Sequence, residues 1–69
     1  MTDHVYKLTE VVGTSPDSIE TAVSNALAKA KNTVRNMRWL EVTQIRGHIE
    51  EGSLAHWQVM LRIGFTLDD

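Results

Sequence analysis

The stretch Ala55-His56-Trp57-Gln58-Val59-Met60-Leu61-Arg62-Ile63-Gly64-Phe65-Thr66-Leu67 decides how the rest of the chain is read. Trp57, Val59, Leu61, Ile63, Phe65 and Leu67 share one parity, and His56, Gln58, Met60, Arg62, Gly64 and Thr66 share the other. Side chains of a strand point alternately to its two faces, so this period of two predicts a strand with one face on a core. The apolar set needs a cover.

That cover lies upstream. Ile19, Ala22, Val23, Ala26, Leu27, Ala30, Val34 and Met37 follow spacings of three, four and seven, which predicts one amphipathic helix of roughly five turns. Gly13-Thr14-Ser15-Pro16 precedes it, with Ser15 the expected N-cap and Pro16 the expected first helical residue, where a missing N–H costs nothing. Asp17 and Glu20 place negative charge near the positive end of the helix dipole, and Asn36 is the expected end. The other faces carry Asn25, Lys29, Lys31, Asn32 and Arg35.

Trp39 to Ile49 is rich in β-branched and aromatic residues and cannot continue the helical stripe, so it reads as a strand, with Gly47 the expected bulge or bend. Glu50-Glu51-Gly52-Ser53 has the polarity and length of a hairpin connection. Val5 to Val12 alternates loosely, with Tyr6, Leu8 and Val12 on one parity, and predicts a first strand. The order is β-α-β-β, an α+β fold in which a three-stranded sheet, antiparallel or mixed, carries one long helix on one face. The other face, with Gln58, Met60, Arg62 and Gly64, is too polar for a core and suits an interface or a ligand wall.

The chain has 69 residues, which predicts one domain over 1–69. A domain this small usually needs disulfides, a metal or partner subunits to hold its fold. There is no cysteine, and His4, His48 and His56 are far apart in sequence, so association with further copies is the expectation. A formal net charge of −2 supplies no basic field for nucleic acid, and no apolar run is long enough to cross a bilayer. The polar start Met1-Thr2-Asp3-His4 has no signal-peptide pattern, so the expected location is the cytoplasm.

Catalytic groups are sparse. Ser15, Ser18, Ser24 and Ser53 lie at a cap, on a helix and in a turn; the adjacent carboxylates Glu50-Glu51 and Asp68-Asp69 sit in a loop and at the C-terminus; no phosphate-binding glycine loop is present. Binding rather than turnover is the expectation. Lys29, Lys31, Arg35 and Arg38 complement the helix dipole and also leave open a phosphate- or nucleic-acid-binding module, beside the alternative of a purely structural oligomer. Trp57 has the parity of the core face. Trp39 sits where helix gives way to strand, among Arg38, Glu41 and Arg46, and reads as a stacking platform for a flat ligand.

Val5-Tyr6-Lys7, Val12-Gly13-Thr14-Ser15, Trp39-Leu40-Glu41-Val42, Ile45-Arg46-Gly47-His48, Trp57-Gln58-Val59 and Gly64-Phe65-Thr66-Leu67 follow one another in an order that resembles the dodecin family, specifically its bacterial, FMN-binding branch. The resemblance runs nearly end to end. It implies hollow homododecamers whose subunit interfaces hold flavins as stacked pairs between tryptophans, and a role in storing FMN and quenching its photochemistry. Riboflavin and FAD are the other candidate cofactors. Trp39 matches the stacking residue, Gln58 the glutamine at the polar edge of the isoalloxazine, Arg46 an arginine that holds the flavin side chain or phosphate, and Tyr6 a first-strand residue near the flavin. The sequence departs from the pattern at Arg38, where many bacterial relatives have Asp, and at Thr66, where some carry an Arg implicated in holding coenzyme A. The second departure argues against a coenzyme A site.

Overall fold

A computed structural model describes residues 3–67. The alternating stretch forms strand Ser53–Thr66 (β3), which takes the centre of a three-stranded antiparallel sheet between Tyr6–Ser15 (β1) and Met37–Glu50 (β2). One helix, Ile19–Ala30 (α1), connects β1 to β2. The expected β-α-β-β order and single covering helix are both present. The polar start at Met1 and Thr2 and the carboxylate pair Asp68-Asp69 lie outside the described residues.

The core is the meeting of the two periodicities. Val59, Leu61 and Ile63 of β3 are 1% exposed or less and pack against Ala22, Ala26 and Ala30 of α1. Burying a side chain of this size fully contributes about 1.5–3 kcal/mol. Alanine on the helix and Gly13 on β1 let the backbones approach closely: a Cβ at Gly13 would overlap the Ala22 carbonyl and stand 2.9 Å from the Ala26 Cβ. Trp57 keeps the core parity but is only partly buried, because it pairs with Ser15 and Gly47 where β1 ends. Leu67 lies beyond β3 and is exposed.

The helix starts three residues later than expected. Ser15 is still the last residue of β1, and its Oγ accepts the Asp17 N–H at 3.0 Å and the Ser18 N–H at 3.4 Å, so Pro16 and Asp17 form a bend. Ser18 is the N-cap: its backbone is extended and its Oγ accepts the Thr21 N–H at 3.0 Å. Ser18→Ala is expected to cost about 1 kcal/mol, a drop on the order of 5 °C in a circular-dichroism melt. An unchanged midpoint would show that the Thr21 N–H finds another acceptor.

The helix also ends earlier, with Lys31 as its C-cap. Thr33 and Val34 both donate to the Ala30 carbonyl, and Asn36 turns the chain through the left-handed region at φ 63, which asparagine tolerates. Met37 is therefore the first residue of β2, not the last turn of α1, although it packs on the same core. Lys29, Lys31, Arg35 and Arg38 consequently fall on the helix end, its cap, the loop and a strand, so the basic helix face that supported the phosphate-binding alternative does not form.

The β2–β3 hairpin outruns its cover. Fourteen-residue strands reach about 46 Å, against about 18 Å for the twelve residues of α1. α1 lies over β1 and β3 rather than β2, so Val42, Ile45 and Ile49 of β2 are 41–67% exposed.

Candidate functional site

Residues paired across a ladder share a face of the sheet. Opposite the helix, β3 presents His56, Gln58, Met60, Arg62, Gly64 and Thr66, the parity that Val59, Leu61 and Ile63 leave free. Tyr6 pairs with Thr66 and Trp39 with Gly64, while Arg46 pairs with Gln58. All four expected site residues therefore line the helix-free face.

Trp39 and Arg46 reach that face together only because β2 slips. Seven positions separate them, which in an unbroken strand would turn them to opposite sides. Val42 pairs with Leu61 and Gln44 with Met60, leaving Thr43 as an extra residue that restores the parity. The Thr43 hydroxyl donates to the Met60 carbonyl at 3.2 Å. A second irregularity at Arg38 switches Met37 onto the core side and Trp39 onto the open side. Gly47, the expected bulge, pairs regularly with Trp57; its missing side chain instead makes room for Leu54, whose Cδ1 would lie 2.6 Å from a Cβ there.

The Trp39 indole lies flat on the backbone of Gly64. A Cβ at Gly64 would overlap ring atoms Cε2 and Cζ2 and stand 2.7 Å from Cδ2, so the ring covers the glycine and turns its other side outward. Trp39 is 44% exposed, and the Tyr6 ring stands beside it at a centroid distance of 6.0 Å, tilted by 58°. The sequence places Gly64 on this face but gives no sign of its role behind the Trp39 ring.

The polar pair stands apart from this aromatic platform. Six residues of β3 separate Gly64 from Gln58, a span of about 20 Å. One flat three-ring ligand cannot touch Trp39 and Gln58 of the same chain. Between them the face carries Met60, and Arg62 at 3.6 Å from Glu10 of β1, an ion pair of half-exposed side chains that contributes little to stability. Beyond Gln58 the rings of His48 and His56 stack at 4.8 Å.

A flat aromatic ligand fits the residues present: an open indole face held rigidly from behind, and elsewhere an amide with donors and an acceptor beside a guanidinium suited to phosphate. A groove of about 500 Å³ between β1 and α1 lies away from Trp39, and Asn25 donates to the Thr14 carbonyl there at 3.0 Å. A smaller apolar hollow of about 210 Å³, lined by Leu27, Met37, Leu40 and Ile63, reaches Trp39. Among the described residues there is no group of three or more acidic or histidine side chains placed to hold a metal ion.

Residues 5–68 match the dodecin family model. The chain is 46% identical over 65 residues to a dodecin of Thermus thermophilus, covering 94% of each. It is 27% identical over 63 residues to a protein of Mycobacterium tuberculosis named calcium dodecin, covering 91% of this chain and 89% of that one. The solved structure of dodecin from Streptomyces coelicolor superposes with a TM-score of 0.92 at 55% identity, over 100% of this chain and 99% of the other. With the strand order, the helix and nearly the whole length in agreement, the chain belongs to the dodecin family.

Proposed function

We propose that this chain is a flavin-binding domain that stores FMN, or riboflavin, between copies of itself in a homododecamer, and that it binds rather than transforms its ligand. The separation of Trp39 from Gln58 carries the reading, because it leaves each chain with two half-sites that only a second copy completes. Trp39, backed by Gly64 and flanked by Tyr6, supplies the stacking face. Gln58 offers amide donors and a carbonyl acceptor to the ligand's polar edge, and the neighbouring Arg46 offers a guanidinium fork to a side chain or phosphate. The bound isoalloxazine supplies a planar acceptor whose excited state an indole in contact quenches by electron donation, which is the photoprotective part of the proposal. FAD is a weaker candidate. Thr66 supplies no cation for coenzyme A, and none is proposed. The cytoplasm is the proposed location; among the described residues no helix is long and apolar enough to cross a membrane.

Titrating the protein into FMN while following flavin fluorescence, with riboflavin in parallel, tests this. Quenching that saturates near one flavin per chain is expected. Trp39→Ala should weaken binding at least about tenfold, since stacking contributes on the order of 1 kcal/mol beyond the area it buries. Undiminished fluorescence with the unaltered protein, or native affinity in the Trp39 variant, overturns the proposal.

A further inference from the structure

Arg38 stands beside the stacking face with no partner of its own. Met37 pairs with Phe65 and Trp39 with Gly64, which are consecutive along β3, so Arg38 is the extra residue of that slip and has no counterpart across the ladder. It is exposed, it lines the same small hollow as Trp39, and among the described residues it makes no hydrogen bond or ion pair. Seven positions separate it from the C-cap Lys31, too far to serve the helix dipole, whose effect fades within the last turn.

The neighbouring cations are placed differently. Arg62 is held at 3.6 Å by Glu10. Lys7 and Arg35 line a separate groove of about 360 Å³ whose lining does not include Trp39. Arg46 shares a rung with Gln58, about 20 Å along the sheet from Trp39. Residues on one rung have Cα atoms about 5 Å apart, so Arg46 and Gln58 address the same end of a ligand. The carboxylate on the indole's own face is Glu41, two residues after Trp39 and opposite Arg62. A negative group beside the ring is therefore repelled from the Glu41 side and drawn to the other, where Arg38 precedes Trp39 along the strand.

We infer that Arg38 is the specificity-determining residue of the stacking half-site: its guanidinium holds the phosphate monoester of a flavin stacked on Trp39 of the same chain, and so makes the site prefer the phosphorylated ligand. This rests on the flavin reading of Trp39. It divides the work between two arginines. Arg46, on a rung with Gln58, serves the part of the ligand that all flavins share, and Arg38 touches only the group that distinguishes FMN from riboflavin. The phosphate hangs from the ring on a flexible chain, so ring and phosphate can engage adjacent residues of one strand. A guanidinium offers a phosphate two parallel N–H donors, and that of Arg38 has no carboxylate among the described residues to give up first.

Paired fluorescence titrations with FMN and riboflavin at pH 8, above the second phosphate pKa of about 6, read the ratio of the two affinities. In the unaltered protein at low salt FMN is expected to bind on the order of tenfold more tightly than riboflavin, and added salt should shrink that advantage because Arg38 is exposed. Arg38→Gln should bring the ratio near unity, and Arg38→Lys, which keeps the charge without the fork, should retain part of it. Phosphorus-31 NMR of bound FMN gives a readout apart from affinity: a cation in contact lowers the second phosphate pKa below that of free FMN, and Arg38→Gln should restore it. Riboflavin binding with a ratio near unity in the unaltered protein, a ratio unchanged by Arg38→Gln, or one lost only in Arg46→Gln overturns the inference and leaves the flavin reading standing. Quenching of neither flavin overturns both.

Discussion

Gly13→Ala is expected to lower the thermal midpoint by on the order of 10 °C, although by chain entropy alone the same change would stabilise the protein. Alanine narrows the unfolded ensemble and is worth about 0.4–1 kcal/mol wherever the backbone accepts a side chain, and Gly13 is not in the left-handed region. The opposing effect is larger. The new Cβ would overlap the Ala22 carbonyl, a backbone group that no rotamer change can move, and crowd the Ala26 Cβ at 2.9 Å. Relief requires α1 to lift from the sheet, which loosens Ala22 and Ala26 from Leu61 and its neighbours; overpacking of this kind costs about 1–3 kcal/mol. At about 4–8 °C per kcal/mol for a domain of this size, the net loss is readily seen by calorimetry. A midpoint equal to or above that of the unaltered protein would mean that the helix can withdraw without loosening the core.

Gly64→Ala acts on the other face and separates stability from binding. There the obstructing group is a side chain, the Trp39 indole, which can swing away from the sheet at modest cost to the fold. The fold should persist, since alanine is no worse than glycine within a strand. Binding should not. With its backing removed, the indole loses the fixed plane against which a ring can stack, and FMN affinity is expected to fall at least about tenfold, as in Trp39→Ala. A Gly64→Ala protein that melts near the native temperature and binds FMN as tightly as before would show that contact with Gly64 does not hold the platform in place.

The two variants also mark what the sequence discloses and what it hides. The alternation from Trp57 to Phe65 and the alanine-rich stripe from Ile19 to Ala30 identify the sheet and the helix because burial imposes each pattern directly. The helix ends are less legible for a related reason. Ser15 and Ser18 offer the same hydroxyl, and only the pairing of Ser15 with Trp57 decides which of them closes a strand and which caps the helix. Met37 extends the helical spacing because it packs on the same core, yet it reaches that core from β2. At the site, the residue types of Trp39, Arg46, Gln58 and Tyr6 are visible in the chain, and their common face is not. It depends on the extra residue at Thr43, which no glycine announces, while Gly47 carries the usual signal of a bulge and forms none. Nor does residue spacing convey that about 20 Å of β3 separates the stacking half from the polar half; that follows from the register.

The central position of β3 also bears on the order in which the molecule assembles. Its pairing with β2 begins at Glu50 and Ser53, beside Glu51 and Gly52 at positive φ, and can zip outward from that tight turn with almost no loop to close. Its pairing with β1 joins Tyr6 to Thr66, nearly the whole chain apart. Contacts so distant in sequence are made against the greatest loss of chain freedom and dominate the folding time of small domains. The hairpin is therefore expected to form early and the first strand to dock late. The Tyr6–Trp39 contact, which bridges the late strand and the early one, belongs among the last to close, so a newly made chain gains its hairpin before it gains its complete aromatic platform.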